Sequence, residues 1–364
     1  MKTIKIFGFP SHQQKERTSG VDFCRVIQPM RHLNGWTNGE VKFEVKIFDP
    51  VADDGLDWLK VASDFDIIFF NYTANPWAFA AMGAMARKAN RTLIMDMDDS
   101  LWNILEDNPA FGVYKKGSDG IKNFTAIVNE VDVVTCTNRY LKNVITKNSR
   151  KVHDLIKVFD NYIDLEKYNH SFTFKDTHEI NLLHFGSTTH FLDLQNKGFV
   201  EGVDRIMKDY PNVNFITVGA FVPMFRNMWG RRYINDFGHQ DIYKWIGDRF
   251  PHFMDMADIC LVPLEDSVYT RCKSAIKYLE MSSAKKPGVW QDIRQYQEVI
   301  DGTNGLLAKN GNEWYEAIKK LIDDKELRKQ MGENAYKDVV GNHQIKDNID
   351  QYAKLFIDVA EKKQ

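Results

Sequence analysis

A lysine, a serine and a glutamate lie close together late in the chain, in a segment whose residue types suit a phosphorylated sugar. Residues 259–262 are apolar and predict a buried strand, which ends at Pro263 because proline lacks a ladder donor. Lys273 and Ser274 then precede apolar residues at helical spacing, and a helix N-terminus favours phosphate. The carboxylate of Glu280, two turns further on, is long enough to accept a hydrogen bond from a sugar hydroxyl. An ordinary strand–helix unit with a solvated helix face remains the alternative.

Three carboxylates follow another predicted strand, at residues 92–97. They are Asp96, Asp98 and Asp99, with Trp102 close behind. Like charges raise one another's pKa, so at least one of these groups should face solvent, a cation or a hydroxyl-bearing ligand. Three interpretations stay open: the DxD pattern binds Mg²⁺ or Mn²⁺, Asp98 or Asp99 binds an acceptor or transfers a proton, or Asp98 or Asp99 caps a helix.

Two glycine-containing loops could bring a ligand close to the backbone. Gly20 stands where a predicted helix begins, and Gly186, Ser187 and Thr188 follow a predicted strand. Backbone N–H groups in such loops can bind phosphate. Neither loop has the GxGxxG pattern of dinucleotide-binding proteins, so an ordinary connection is the simpler interpretation of each loop alone.

The elements that would position these residues alternate between strand and helix. Predicted strands lie near residues 3–9, 41–48, 67–71, 92–97, 131–135, 180–185, 213–218, 259–264, 288–290 and 304–307. This alternation predicts an α/β protein with doubly wound parallel sheets. A chain of 364 residues exceeds one compact core. We therefore predict an N-terminal domain at 1–160 and a C-terminal domain at 161–344, followed by a docked amphipathic helix.

Composition and charge exclude several classes of protein. The chain has 43% hydrophobic and 27% charged residues, and its net charge of -2 gives no general reason to expect binding to nucleic acid or an anionic membrane. No apolar run has the length of a membrane span, and the N-terminus lacks the apolar region of a signal peptide. The four cysteines show no CxxC spacing, so neither a zinc site nor a disulfide framework is predicted. We expect a cytoplasmic protein, free or peripheral at the inner membrane face.

Several motifs of the second half occur in the order found in a known enzyme family. They are FDNYID at 159–164, LLHFGS at 182–187, WIGDRFPHFMDMADICLVPLED at 245–266, KSAIKYLE at 273–280 and NGLL at 304–307. Together they resemble the nucleotide-sugar-binding domain of GT-B glycosyltransferases and are similar in particular to the retaining enzymes of family 4. The first half agrees less specifically, through its strand order and DDSLW at 98–102. The resemblance implies two Rossmann-like domains facing each other across a cleft, with helix 345–364 returning to the N-terminal domain.

The resemblance also implies roles for individual residues. Glu280 is similar to the second glutamate of the family's E-x7-E motif, which holds the donor ribose, whereas Cys272 replaces the first and becomes the candidate for selecting the sugar. Lys273 and Ser274 are expected to bind the diphosphate with the Gly186 loop, and the loop near Gly238 to select the base. The implied donor-binding residues are Gly20, Gly186, Ser187, Thr188, Gly238, His239, Cys272, Lys273, Ser274 and Glu280.

By the same resemblance, the reaction is front-face transfer of a hexose or pentose with retained anomeric configuration. Lys273, Asp98 and Asp99 are the implied catalytic residues, and Asp98, Asp99 and Trp102 the implied acceptor site. The implied donor is a UDP- or GDP-sugar, and neither a metal nor another cofactor is expected because basic residues and helix dipoles stabilise the diphosphate. The acceptor is a glycan, a lipid intermediate or a hydroxylated DNA base. The DNA base remains an alternative because the basic and aromatic residues of 226–233 could contact phosphates and stack on bases. A catalytically silent protein that binds nucleotide or carbohydrate is the alternative.

Overall fold

The chain forms two parallel sheets of six strands each, in a computed structural model that describes residues 1–362 except 54, 73–75, 169, 171, 173, 175–177 and 238–240. The first sheet contains β1 (Lys2–Phe9), β2 (Val41–Ile47), β3 (Ile67–Asn71), β4 (Thr92–Met97), β5 (Val133–Cys136) and β6 (Ile156–Val158). The second sheet contains β7 (Ile180–Phe185), β8 (Val213–Val218), β9 (Tyr233–Asp236), β10 (Ile259–Val262), β11 (Gly288–Gln291) and β12 (Leu306–Ala308). Their spatial orders are β2-β1-β3-β4-β5-β6 and β12-β11-β10-β7-β8-β9.

Helices connect the strands of both sheets. Those before β7 are Gly20–Asp22, the π-helix Phe23–Ile27, Gln28–Leu33, Trp58–Asp64, Pro76–Lys88, Phe111–Tyr114, Asp119–Glu130 and Arg139–Asn148. Those after β7 are Phe191–Leu194, Lys197–Asp209, Pro223–Trp229, Ile242–Lys244, the π-helix Trp245–Arg249, Phe250–Met256, Val268–Arg271, Ile276–Ser283, Arg294–Gln297, Gly311–Asp323, Lys325–Asn342 and Ile345–Glu361. Short 3-10 turns at Leu101–Asn103, His153–Leu155, Thr188–His190 and Gly230–Arg232 complete the connections. The predicted α/β architecture is confirmed.

The central strands are mostly apolar because helices cover both faces of each sheet. All residues of β3, β4, β5, β10 and β11 are buried. The helix Ile345–Glu361 packs on the first sheet, where the ring of Phe356 lies 5.6 Å from that of Phe69 and 6.3 Å from that of Phe43. The expected return of the C-terminal helix to the N-terminal sheet is therefore confirmed.

Each sheet has one point at which the direction of strand addition reverses. In the first sheet β2 and β3 lie on opposite sides of β1, and in the second β8 and β10 lie on opposite sides of β7. In open α/β sheets, ligands bind in the crevice outside the carboxyl ends of the strands at such a point. The loops that follow β1, β7 and β10 are therefore the candidate ligand-binding loops.

Some local predictions were wrong. The helix Trp58–Asp64, the short helix Val268–Arg271 and the strand β9 were not predicted. The helix expected to begin at Lys273 and Ser274 begins at Ile276, with Ala275 at its N-cap, so those two side chains belong to the preceding turn. Among the described residues, no helix combines the length and apolarity needed to cross a membrane.

Candidate functional site

The loop that follows β10 reaches across the cleft and contacts the carboxyl end of the first sheet. Lys273 Nζ lies 3.1 Å from both carboxylate oxygens of Asp99. The Tyr269 hydroxyl donates to Asp99 Oδ2 at 2.9 Å, and Lys273 Nζ lies 4.6 Å from the centre of the Tyr269 ring. The structure thus joins a residue expected on the donor side to one expected on the acceptor side.

Side chains of the first sheet's loops fix the backbone around Lys273. Asn138 caps the helix Arg139–Asn148, and its Nδ2 donates to the carbonyl oxygens of Cys272 at 2.7 Å and Lys273 at 3.0 Å. Asn161 Nδ2 donates to Ser274 Oγ at 2.6 Å. Because these bonds hold the backbone on both sides of Lys273, its ammonium group is positioned before any ligand binds.

The three carboxylates after β4 have three different environments. Asp96 forms a buried, bidentate ion pair with Arg25, at 2.8 Å for each nitrogen–oxygen pair. Asp99 is paired with Lys273. Asp98 has no such partner: its Oδ1 is buried without a hydrogen bond to any described residue. Burial, followed by the charge of Asp99, raises the pKa of Asp98 to about 7. Asp98 is therefore the carboxylate able to change protonation state near neutral pH.

Lys277 is a second cation of the crevice, and the sequence reasoning missed it. Its Nζ lies 4.8 Å from the centre of the Phe185 ring, at the end of β7, and makes no hydrogen bond or ion pair with any described residue. Burial lowers the pKa of Lys277, an effect that the charge of Glu280 opposes. Burying a lysine ammonium group without a neighbouring anion lowers the stability of the fold, and a bound ligand that supplies the anion offsets this loss. Its spacing from Glu280, three residues along one helix, was the available signal.

The Gly186 loop is shaped by packing beneath it. Gly219 has φ +94°, and a Cβ there would lie 1.9 Å from the carbonyl oxygen of Gly186. A Cβ on Gly186 itself would lie 2.6 Å from His190 Cδ2. Ser187 is exposed at the mouth of the crevice, and Thr188 begins the short turn that leads to His190. Both glycines are needed for this loop geometry whether or not a ligand is bound.

Replacing Gly219 by alanine should destabilise the protein and displace the Gly186 loop. The left-handed backbone costs roughly 1 kcal/mol for alanine, and the clash with Gly186 should add about 1–3 kcal/mol. Gly302 is a matched control because its φ is +87° and nothing lies within 4 Å of the added Cβ. Urea unfolding should show a clearly larger loss for Gly219→Ala than for Gly302→Ala. Equal losses would contradict the packing described for this loop.

Two further predicted residues, Glu280 and Cys272, both come from the segment after β10 and lie in different surroundings. Glu280 is 8% exposed and accepts a hydrogen bond from the Tyr168 hydroxyl at 3.2 Å. Burial raises the pKa of Glu280, which the charge of Lys277 opposes. Cys272 is fully buried among apolar residues of the first domain, and burial raises the pKa of its thiol to about 12. Cys272 thus presents no thiolate to the crevice.

The remaining predicted residues lie at the edges of the site. Gly20 is the exposed first residue of its helix, and an added Cβ would meet only Ile242 Cδ1 at 3.9 Å. Trp102 donates from Nε1 to Thr125 Oγ1 at 2.9 Å and packs beside Phe124, with ring centres 4.9 Å apart. Gly238 and His239 lie outside the described residues. In the part of the chain that the structure describes, no group of three His, Cys, Asp or Glu side chains is arranged to hold a metal ion.

Known structures share this arrangement of two sheets around a cleft. HepE of Anabaena, solved in complex with UDP, superposes with a TM-score of 0.64 at 14% identity, covering 98% of this chain and 100% of HepE. Sucrose-phosphate synthase of Thermosynechococcus elongatus gives a TM-score of 0.62 at 13% identity and covers 99% of both chains. The chain has a GT-B fold.

A family model agrees with this assignment for part of the chain. Residues 197–338, within the second half of the GT-B fold, match the model described as "Glycosyl transferases group 1". The solved structure of TarM superposes with a TM-score of 0.58 at 16% identity and covers 80% of this chain. This chain spans only 54% of TarM. No functionally curated protein matches the sequence.

Proposed function

We propose that the protein is a retaining glycosyltransferase that moves a sugar from a UDP- or GDP-sugar to a hydroxyl group of an acceptor. The observation that carries this proposal is the pair of cations Lys273 and Lys277 at the switch point of the second sheet, with Lys273 paired to Asp99, the neighbour of Asp98. HepE, which shares the fold, has been solved with UDP and with UDP-glucose.

The two lysines supply the charge that such a reaction needs. Cleavage of the sugar–phosphate bond places negative charge on the leaving diphosphate, and preorganised cations aimed at that charge lower the barrier. Lys277 has no anion of its own, and Lys273 has only Asp99. A diphosphate bound beside Gly186 would give Lys277 its missing partner and share Lys273 with Asp99. Glu280 lies three residues beyond Lys277, which suits the proposed contact with the donor ribose.

Asp98 is the group proposed to orient the acceptor. Its buried, unpartnered Oδ1 can accept a hydrogen bond from the acceptor hydroxyl when the carboxyl is ionised. The proton of that hydroxyl then passes to the leaving phosphate oxygen on the same face of the sugar, and the new glycosidic bond forms on the face from which the phosphate departs. The anomeric configuration is thereby retained without a side-chain nucleophile. NMR of the product anomer tests this step, since inversion would exclude it.

The structure bears on the class of acceptor through the arginines of 226–233. Arg232 donates to the carbonyl oxygens of Met207, Tyr210 and Val213. Arg226 donates to the carbonyl oxygen of Gly230 at 3.2 Å. Because Arg232 is engaged inside its own domain and only Arg226 and Arg231 are exposed, we favour a glycan or lipid intermediate over a hydroxylated DNA base. An acceptor panel that gave transfer only to hydroxylated DNA would reverse this preference.

A thermal-shift screen against UDP, GDP, ADP and their common sugars tests the proposed donor. A nucleotide at about a hundred times its Kd should stabilise the fold by about 2.7 kcal/mol. We expect a response to a UDP- or GDP-sugar, in EDTA as well as with Mn²⁺. Stabilisation without release of the nucleoside diphosphate, across the acceptor panel, would favour the catalytically silent alternative. No response to any nucleotide would overturn the proposal.

A further inference from the structure

A histidine and an aspartate beneath the Gly186 loop form a pair that the proposed reaction does not use. His190 Nδ1 lies 2.7 Å from Asp193 Oδ2, and Asp193 Oδ1 accepts from the backbone N–H of Glu265 at 2.8 Å. An ionised carboxylate can only accept hydrogen bonds, so His190 Nδ1 carries the hydrogen. In the neutral ring Nε2 then holds a free lone pair, and it has no hydrogen-bond partner among the described residues.

A second imidazole borders the same place. His184 is fully buried, its Nδ1 lies 2.9 Å from the carbonyl oxygen of Leu261, and its Nε2 is buried without a described partner. The ring centres of His184 and His190 are 5.9 Å apart. A Cβ placed on Gly186 would lie 2.6 Å from His190 Cδ2 and 3.2 Å from His184 Nε2. Two imidazole edges therefore lie directly against Gly186.

The pair also spans the switch point of the second sheet. His190 belongs to the connection after β7, and Glu265, which holds Asp193, belongs to the connection after β10. Burial and the charge of Lys277 lower the pKa of His190, whereas Asp193 opposes that change. His190 is therefore neutral at pH 7 in the absence of a ligand. An anion placed between the lysines and His190 would reverse the balance, because it offsets the lysine charges and favours the imidazolium.

We propose that His190 takes up a proton at Nε2 when the donor diphosphate binds beside Gly186, and then donates a hydrogen bond from Nε2 to a phosphate oxygen. The proton comes from solvent, and Asp193 retains the hydrogen bond to Nδ1. This inference rests on the proposed function, since it requires a diphosphate at the Gly186 loop. Protonated His190 adds a third positive charge, beside those of Lys273 and Lys277, only while the donor is bound. Without a ligand, the crevice therefore holds one unpaired positive charge fewer.

Several other ionisable groups face this pair and must be separated from it. They are His184 from β7, Lys273 and Lys277 from the other side of the crevice, and Asp107 and Tyr296, which face Asp193. Burial lowers the pKa of His184 to about 3, so a ligand would have to raise it by several units before it bound a proton near neutral pH. Asp98 is the main competitor, because its pKa of about 7 also permits a change of protonation on binding.

Calorimetric titration with the nucleoside diphosphate found in the thermal screen measures the proton directly. Titrations at pH 7 in two buffers of different ionisation enthalpy give the number of protons taken up per nucleotide. We expect uptake approaching one proton in the unmodified protein, and a Kd that weakens up to tenfold per pH unit above neutrality. In His190→Asn the side-chain amide can still donate to Asp193, but no titrating Nε2 remains, so the uptake should fall to a small fraction of its value in the unmodified protein, and the weakening of the Kd above neutrality should be lost.

Two further variants make the outcome unambiguous. Asp98→Asn should keep the proton uptake, and Asp193→Asn, which leaves the imidazole in place, should reduce it at pH 7. Binding without uptake in the unmodified protein, unchanged uptake in His190→Asn, or loss of uptake in Asp98→Asn would each overturn the inference while leaving the proposed function intact. Absence of any nucleoside diphosphate binding would overturn both.

Discussion

Replacing Lys273 by methionine should lower kcat/KM by roughly a hundredfold to a thousandfold, the usual cost of removing one preorganised group that stabilises charge in a transition state. Lys273 Nζ is held between Asp99 and the Tyr269 ring by a backbone that Asn138 fixes from the other domain. Methionine keeps much of the side-chain length without the charge. Steady-state kinetics at saturating acceptor would measure the loss.

Two controls separate lost catalysis from lost structure in that experiment. Lys285 pairs with Glu333 at 3.1 Å, with both side chains well exposed, so Lys285→Met should change kcat/KM little. The double variant Lys273→Met, Asp99→Asn removes the unpaired carboxylate that the single change leaves behind. Recovery of most of the activity in the double variant would mean that Lys273 serves only to neutralise Asp99, against the role assigned to it.

Replacing Asp98 by asparagine should reduce transfer by at least about a hundredfold while the Kd of the nucleotide stays nearly unchanged. The physical reason is that Asp98 has a buried oxygen without a described partner, whereas Asp96 and Asp99 are neutralised by Arg25 and Lys273. Asp119, exposed on a helix of the same domain, provides a matched control whose replacement by asparagine should leave activity unchanged.

The same residue fixes the expected pH dependence. Burial raises the pKa of Asp98 to about 7, so the carboxyl is protonated below that value and cannot accept the acceptor's hydrogen bond. In the unmodified enzyme kcat/KM should therefore rise with pH through about 7, by up to tenfold per unit on the acid side. Asp98→Asn should remove that rise from its residual activity. Persistence of the full acid limb in the variant would show that another group causes it.

The sequence predicted the sheets well because buried parallel strands leave an uninterrupted apolar signal. Strands β3, β4, β7 and β8 were predicted with their observed limits. By contrast, β9 lies at the edge of its sheet, and only its first residue, Tyr233, is buried, so it has no comparable apolar run. The helix Pro223–Trp229, which precedes β9, ends where Gly230 takes φ +58°.

The candidate site was predictable where a residue lies at the end of an apolar strand, and less so where a partner comes from a distant loop. Asp98 and Asp99 follow a predicted strand, whereas Lys273 was predicted from its place at an expected helix N-terminus. The structure places Lys273 against Asp99. Nothing in the spacing showed that Arg25, 71 residues from Asp96, would neutralise that carboxylate and leave Asp98 distinct. Cys272 departs from the family motif, but its side chain packs in the core of the other domain, which no motif spacing indicates.

The central claim is that Lys277, with Lys273, binds the diphosphate of a nucleotide sugar, and calorimetric titration of Lys277→Met tests it most directly. This lysine makes no ion pair or hydrogen bond with any described residue, so methionine should fill its place over Phe185 without loss of stability. The account predicts that affinity for the nucleoside diphosphate falls at least about tenfold, or ~1.4 kcal/mol, while affinity for the corresponding nucleoside is unchanged. Equal affinity of variant and unmodified protein for the diphosphate would contradict it.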